Sequence, residues 1–199
     1  MLFTLQPHPA TPTEAVTAIA VGMIRERTDR LILDYRVTAD LRRLSLQPFE
    51  QAERAHELWR STCLEAFIAA GDTGAYYELN FAPSHKWAAY RFDAYRTGMA
   101  EAEEPAPTRI RVERHGGGVR WFRRSKPQGR FTLQVALHLP ADVTGPVALS
   151  AVIEEVDGTK SYWALHHRPG APDFHHPDCF TAELPQPIGL GAPPANRSG

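Results

Sequence analysis

One part of the sequence combines an aromatic ring, two carboxyl groups and an amide at short spacing. Trp59 is followed six residues later by Glu65, and Glu78 and Asn80 come after a turn at residues 71–74. Alternate residues of a strand share a face, so Glu78 and Asn80 face the same side, and an adjacent antiparallel strand brings Glu65 near them. A ring that stacks on a sugar, beside polar groups that pair with its hydroxyls, is the chemistry of a carbohydrate site.

The same residues also have an interpretation that needs no ligand. In that interpretation Trp59 is an ordinary core aromatic, and Glu65 is a strand residue that faces water. The two interpretations differ in whether the ring and the carboxyl groups line an open space. The sequence leaves both open.

Residues 166–176 form a histidine-rich segment that holds four of the nine histidines of the chain. Imidazole and carboxylate groups are common protein ligands of divalent metals. An alternative prediction is therefore a metal site with the ligands His166, His175, His176 and Asp173. Because the spacing matches no standard zinc pattern, the favoured prediction is an ordered loop whose polar side chains bond to its own backbone.

The sequence lacks the usual motifs of catalytic sites. Residues 115–118, His-Gly-Gly-Gly, lead into a predicted strand and not a helix, so they indicate a turn and not a phosphate-binding loop. No nucleophile elbow occurs. Glu65 and Glu78 are the carboxyl pair that a glycosidase mechanism could use, but nothing in the sequence indicates a raised pKa or a defined separation. The sequence therefore predicts a protein that is not an enzyme.

The charge balance argues against nucleic-acid and membrane partners. The 199 residues carry a formal net charge of -1, and no stretch approaches the roughly 20 apolar residues that span a bilayer. Residues 84–96 interleave aromatic and basic side chains, as single-strand-binding surfaces do, but a half-buried strand has the same pattern. A local basic cluster is interpreted as a solvated hairpin; its members are Arg120, Arg123, Arg124, Lys126 and Arg130.

The N-terminal residues and the cysteines bear on cellular location. Residues 1–9 lack a cationic start and a continuous apolar core, so they do not predict a secretory signal. Two cysteines, Cys63 and Cys179, do not make a disulfide framework, and a chain of this size does not need one. These observations predict a cytoplasmic protein with both thiols free.

Alternation of apolar and polar residues with a period of two runs through much of the chain. Side chains of a strand alternate between its two faces, so each such run predicts a strand with one buried face. The runs are 17–23, 31–37, 76–81, 131–139 and 147–153, with further candidates at 87–95 and 161–165. Many short strands separated by turns predict an all-β fold, an antiparallel two-sheet β-sandwich of the immunoglobulin-like or jelly-roll-like type.

Little of the sequence predicts a helix or a second domain. The best helical candidate, residues 48–58, makes about three turns at most. Residues 101–107 are acidic and contain proline, and predict a long loop. Because no linker divides the chain, residues 1–185 are predicted to form one domain, followed by a disordered Pro- and Gly-rich tail at 186–199.

The first candidate site, taken with a segment near the last strand, resembles carbohydrate-binding module family 9. The shared features are Trp59 six residues before Glu65, the Glu78-Leu-Asn80 triplet, and Phe174 three residues before a proline and six before a phenylalanine. More closely, the chain looks like the bacterial DOMON-like proteins that are grouped beside that family. The resemblance runs from just before Trp59 to the start of the C-terminal tail, and its individual motifs are short.

The resemblance implies a β-sandwich with an aromatic clamp. It places Trp59 and Phe174 as the two walls of a sugar slot, and Glu65 and Asn80 as hydrogen-bonding residues inside it, with Glu78 at the floor. Two departures from the family pattern stand out. Glu78 lies where sugar-binding members often have a basic residue, and Phe174 lies where they usually have tryptophan.

The function that the resemblance implies is non-catalytic binding of a carbohydrate or a carbohydrate derivative, without a cofactor. Related DOMON domains include haem binders with methionine or histidine axial ligands. Haem held by Met23, Met99 or the histidine-rich segment is therefore an alternative. A module that binds a protein partner is a second alternative.

Overall fold

Eleven β-strands and no α-helix make up the residues that the computed structural model describes, 1–116 and 129–188. The strands are β1 Leu2–Pro7, β2 Val16–Arg27, β3 Arg30–Ala39, β4 Cys63–Ala70, β5 Ala75–Phe81, β6 Trp87–Phe92, β7 Ala100–Glu101, β8 Ala106–Gly116, β9 Gly129–His138, β10 Val143–Glu154 and β11 Lys160–Ala164. Single turns of 3-10 helix lie at Leu41–Arg43, Leu58–Arg60 and Pro177–Cys179. Within these described ranges, no helix has the length and apolar character needed to cross a membrane. The basic cluster, apart from Arg130, and residues 189–199 of the predicted tail lie outside the described residues.

All the strands belong to one antiparallel sheet in the order β7-β6-β5-β4-β10-β11-β1-β2-β3-β9-β8. Strand β1 joins its two halves. Leu2 to Leu5 pair with β2, whereas Gln6 and Pro7 pair with Ala164 and Trp163 of β11. The prediction of an all-β antiparallel fold is confirmed. The partition into two separate sheets is not, because β1 makes the hydrogen bonding continuous and the sheet curls into a half-barrel.

The main core lies on the inner face of the curled sheet, where the two halves meet. Leu31, Leu33, Tyr35 and Val37 of β3 are all completely buried, as their alternation predicts. The Tyr35 hydroxyl crosses to the other half and donates a 2.6 Å hydrogen bond to the carbonyl oxygen of Glu65. Full burial of each large apolar side chain stabilises the fold by about 1.5–3 kcal/mol, so this face dominates the stability.

The predicted helix at residues 48–58 is wrong. The chain there runs alongside β6, and the Ala55 amide donates to the Trp87 carbonyl while the Trp87 amide donates to Glu53. Those backbone groups therefore form hydrogen bonds with the start of β6 and not the hydrogen bonds of a helix. The predicted loop at 101–107 is also partly wrong, because β7 ends at Glu101 and β8 begins at Ala106.

Strands β4 and β5 are buried on both faces, and they lie in the same half of the sheet. In β5 every residue is buried, and in β4 every residue except Ala69 is buried. The outer face of this half carries a second apolar cluster, which includes Cys63, Phe67 and Phe92 from the strands and Phe174 and Cys179 from the segment after β11. The alternation in sequence predicts only one buried face for a strand. The segment after β11 supplies the second cover, and the candidate site lies beneath it.

A candidate ligand cavity on the outer face of the sheet

Pairing between β4 and β5 brings the predicted polar residues together. Glu65 lies directly opposite Asn80, and Phe67 lies opposite Glu78. On the other side of β4, Glu65 lies opposite Ser150 of β10. The polar side chains therefore form a short row across three strands, as the alternation in β4 and β5 predicts.

A cavity of about 390 Å³ opens above this row. Its size falls within the range of roughly 300–1,000 Å³ that small-ligand sites occupy. Four of the five residues predicted for the site line it, and they are Trp59, Glu65, Glu78 and Phe174. The other lining residues, which sequence reasoning did not assign to the site, are Phe67, Phe92, Arg96, Met99, Val152, Tyr162, Pro172 and His175.

Asn80 does not line the cavity but lies behind it, completely buried. Its Nδ2 donates a 2.7 Å hydrogen bond to Oε1 of Glu78, and its Oδ1 accepts a 3.4 Å contact from the Cys63 thiol. Asn80 therefore orients the Glu78 side chain from behind the cavity.

The aromatic walls differ in how far a ligand can reach them. Trp59 is half-buried, and its ring meets Tyr90 edge-on at 5.9 Å between centroids. Phe174 is only 8% exposed, and its ring packs against Tyr162 at 6.1 Å and His167 at 6.4 Å. Trp59 therefore offers more free ring surface than Phe174.

Glu65 is the most deeply placed ionisable group at the cavity floor. It is 2% exposed, and its Oε2 accepts a 3.1 Å hydrogen bond from Ser150. Its Oε1 has no hydrogen-bond partner in the described part of the chain. Burial, reinforced by the negative charge of Glu78, raises the pKa of Glu65 to about 8. The carboxyl group is therefore mostly neutral at pH 7.

Glu78 lies beside His175, whose imidazole ring is neutral at pH 7. Burial raises the pKa of Glu78, and burial together with the positive charge of Arg96 lowers the pKa of His175 to about 4. The His175 Nδ1 lies 2.8 Å from the Tyr76 hydroxyl, which itself accepts a 3.2 Å bond from the Arg96 amide. Tyr76 therefore donates its proton to Nδ1, and Nε2 carries the ring hydrogen. The 3.7 Å between His175 Nε2 and Glu78 Oε2 is thus a polar contact and not an ion pair.

Asp173 holds the covering segment in place. Its carboxylate accepts hydrogen bonds from the Tyr95 hydroxyl at 2.6 Å, from Arg96 Nη2 at 2.8 Å and from the His175 amide at 3.2 Å. Burial alone raises the pKa of Asp173, but the bonds from Tyr95 and Arg96 outweigh it and lower the pKa. Arg96 is the last residue of the aromatic and basic segment 84–96. The sequence shows the alternation of that segment, but it does not predict that Arg96 lies at the cavity.

Replacing Asp173 by asparagine is expected to lower the free energy of unfolding by about 1–3 kcal/mol, because charge-assisted hydrogen bonds to Tyr95 and Arg96 are lost. Urea denaturation at pH 7 measures this loss. Asp178→Asn, in the same segment but 59% exposed at its side chain, is the matched control and should change stability by less than about 0.5 kcal/mol. Equal effects of the two substitutions would contradict the role given to Asp173.

The alternative metal ligands do not form a ligand set. The Asp173 carboxylate is occupied by Tyr95 and Arg96, His176 Nδ1 accepts a bond from the Asp178 amide, and His166 is exposed. Among residues 1–116 and 129–188, no three His, Cys, Asp or Glu side chains are arranged to hold a metal ion. Two methionines are considered as haem ligands. Met23 is completely buried in the inner core, and Met99 is half-exposed at the cavity rim.

Comparisons with known proteins bear on the fold. No protein-family model matches the chain, and no curated protein matches it either. Among solved structures, the chain is similar to a "putative carbohydrate-binding protein" from Bacteroides uniformis, with a TM-score of 0.58 and 14% sequence identity. The match covers 90% of this chain and 84% of that chain. At this identity the likeness shows a shared fold. The finer resemblance to family 9 and to DOMON-like proteins stays a prediction.

Proposed function

We propose that the protein binds a carbohydrate or a carbohydrate derivative in the cavity above Glu65 and Glu78, without catalysing a reaction on it. The observation that carries the proposal is the buried Glu65, whose Oε1 has no partner among the described residues, in a cavity walled by aromatic rings. A buried polar atom without a partner costs about 1–3 kcal/mol, which a ligand hydroxyl recovers when it pairs with that atom. The name of the Bacteroides uniformis protein agrees with this ligand class.

The cavity supplies both kinds of contact that a sugar ring needs. Trp59 and Phe174, proposed as the clamp, offer apolar ring surface for the C–H face of a pyranose. Neutral Glu65 both donates and accepts hydrogen bonds, so it pairs with a hydroxyl in either role. Because Phe174 is largely covered by the protein itself, Trp59 makes the larger contribution. We expect a dissociation constant on the order of 10 µM to 1 mM, or roughly 4 to 7 kcal/mol.

The ionisation of the two acids argues against a glycosidase. That chemistry pairs a protonated general acid with an ionised carboxylate that acts as nucleophile or base. Here burial raises the pKa values of both Glu65 and Glu78, so the environment does not push the two groups in opposite directions. The pair is therefore better suited to binding hydroxyl groups than to cleaving a glycosidic bond.

Trp59→Ala is expected to weaken sugar binding at least about tenfold, because it removes the exposed stacking surface, while the fold persists. The measurement is a titration of intrinsic tryptophan fluorescence with mono- and disaccharides, followed by calorimetry for the variants. Trp87→Phe is the matched control, because Trp87 is also half-buried but contacts Arg54 and does not line the cavity. Saturable binding that survives Trp59→Ala unchanged would place the sugar elsewhere, and silence of the folded wild type across the panel would sink the proposed function.

A further inference from the structure

Neither acid at the cavity floor is bonded to a lysine or arginine side chain of the described residues. Glu65 is buried with Oε1 unpartnered in that part of the chain, and the bond that Glu78 receives from Asn80 comes from a neutral amide. The charge of Arg96, which lines the cavity, acts against burial to lower the pKa of Glu78, but the guanidinium itself is bonded to Asp173 at 2.8 Å. A positively charged ligand group at the floor therefore has two carboxyl groups to pair with once they have lost their protons.

The nearby imidazole does not provide that charge. His175 uses Nδ1 to accept from Tyr76, and burial with the charge of Arg96 keeps the pKa of the ring at about 4. Above about pH 5 it faces Glu78 as a neutral N–H donor. His175 thus supplies no positive charge to the two carboxyl groups across the physiological pH range.

The walls suit a cation as well as a sugar ring. Trp59, Phe92 and Tyr162 line the cavity, and the negative face of an aromatic ring attracts an ammonium group. Aromatic walls over a carboxyl floor therefore favour a ligand that is both a ring and an amine.

We propose that the cavity selects sugars that carry a free, protonated amino group, and that the ammonium contacts the carboxyl groups of Glu65 and Glu78. This inference rests on the proposed function for the sugar ring and adds the charge of the ligand. An ammonium has three donors and no acceptor, which matches the open atom of the floor, Glu65 Oε1, once that carboxyl group has given up its proton. Acetylation of the amine removes the charge and adds bulk, so N-acetylated sugars lose the advantage.

Binding of an ammonium is expected to release a proton. The ionisable groups around the Glu65 side chain are Cys63 on the same strand and Glu78 on β5, with Arg96 and His175 facing the cavity from the loops and Tyr35 bonded to the Glu65 carbonyl from β3. Neither Cys63 nor Tyr35 is ionised near neutral pH, because burial raises both pKa values. The proton that leaves therefore comes from the carboxyl pair.

The experiment is calorimetric titration of the full chain with glucosamine, galactosamine and mannosamine against glucose, galactose, mannose and N-acetylglucosamine, at about pH 6.5. We expect at least one amino sugar to bind about tenfold or more tightly than its neutral parent, which is the worth of one charge-assisted contact after desolvation. Its apparent enthalpy should depend on the ionisation enthalpy of the buffer, whereas that of the neutral sugar should not.

Two variants and one further probe separate the outcomes. Glu65→Gln should abolish the preference for the amine, so that an amino sugar and its neutral parent bind with similar affinities, whereas Glu101→Gln, which removes a 58% exposed carboxylate outside the cavity, should leave that preference unchanged. Equal affinities for amino and neutral sugars would overturn this inference and leave the proposed function standing. Failure of every sugar to bind would overturn the proposed function. Cyclohexylamine is a ring amine without hydroxyl groups. Binding of cyclohexylamine that requires Glu65 would support the ammonium site, whereas no binding, or binding that does not require Glu65, would count against it.

Discussion

Glu65→Gln is expected to stabilise the protein by about 3 to 5 kcal/mol at pH 9 and to change stability little at pH 5. The folded protein keeps the Glu65 proton up to a pKa of about 8, whereas the unfolded chain loses it near the ordinary glutamate pKa of 4.5. Folding therefore takes up a proton between these values, and stability falls with rising pH by at most about 1.4 kcal/mol for each pH unit. Glutamine resembles the protonated acid and does not ionise, so the variant lacks this loss.

His175 opposes Glu65 over part of the range. Its folded pKa of about 4 lies below the ordinary histidine pKa of 6.5, so its contribution to stability is complete above pH 6.5 and is lost as the pH falls towards 4. Between about pH 4.5 and 6.5 the slopes due to Glu65 and His175 have opposite signs and nearly cancel. The free energy of unfolding of the wild-type protein should therefore fall visibly, because of Glu65, as the pH rises from about 6.5 to 8.

Urea denaturation from pH 5 to 9 measures these slopes for the wild type and the variant. Glu101→Gln, which removes an exposed carboxylate, should follow the wild-type curve. Parallel curves for the wild type and Glu65→Gln above pH 6.5 would show that Glu65 ionises normally in the folded protein. In that case Glu65 would not be the buried acid on which the proposed ligand contacts depend.

Phe67→Ala is expected to lower the free energy of unfolding by about 3–5 kcal/mol, the usual cost of removing a buried aromatic ring. Phe67 is 1% exposed, and its ring meets His175 at 5.0 Å, Tyr76 at 6.3 Å and Phe180 at 6.4 Å. The ring therefore supports both the outer face of β4 and the segment that covers the cavity. Sugar binding should be lost together with this support.

Phe131→Ala is the matched comparison for Phe67→Ala. Phe131 is completely buried in the inner core, so its truncation should cost a similar amount of stability while the cavity on the outer face keeps its affinity. Calorimetric binding at a temperature where both variants are folded makes the distinction. A loss below about 1 kcal/mol for Phe67→Ala would mean that the covering segment does not pack on this ring as described.

Local pattern was enough to predict the strands and much of the candidate site. The alternation in β3 predicted the buried face that carries Tyr35, and the alternation in β4 and β5 predicted that Glu65 would lie near Glu78 or Asn80; the structure pairs it with Asn80. These predictions succeed because side chains of a strand alternate between faces regardless of where the strand lies in the sheet. The strand β1 and the charged edge strand β8 were missed because neither shows a regular apolar face, with only Leu5 of β1 buried.

Other features follow from contacts between residues far apart in the chain. Arg96 reaches Asp173 across 77 positions, and Tyr76 reaches His175 across 99, so no window of sequence predicts that either pair meets at the cavity. The same contacts lay the segment after β11 over β4 and β5. An alternating pattern predicts one buried face for a strand. The segment after β11 covers the other face as well, and this shields Glu65 from water.

The sequence by itself determined the all-β architecture, the shared face of Glu78 and Asn80 on β5 and the residue types at the cavity floor, since these depend on local alternation. The tertiary structure alone decided that β1 joins the halves into one sheet and that Asn80 lies behind the cavity and not in it. It also decided the ionisation of Glu65 and His175. A pKa depends on the water, charges and hydrogen bonds around a group, and in this protein those come from strands and loops brought together only by the folded chain.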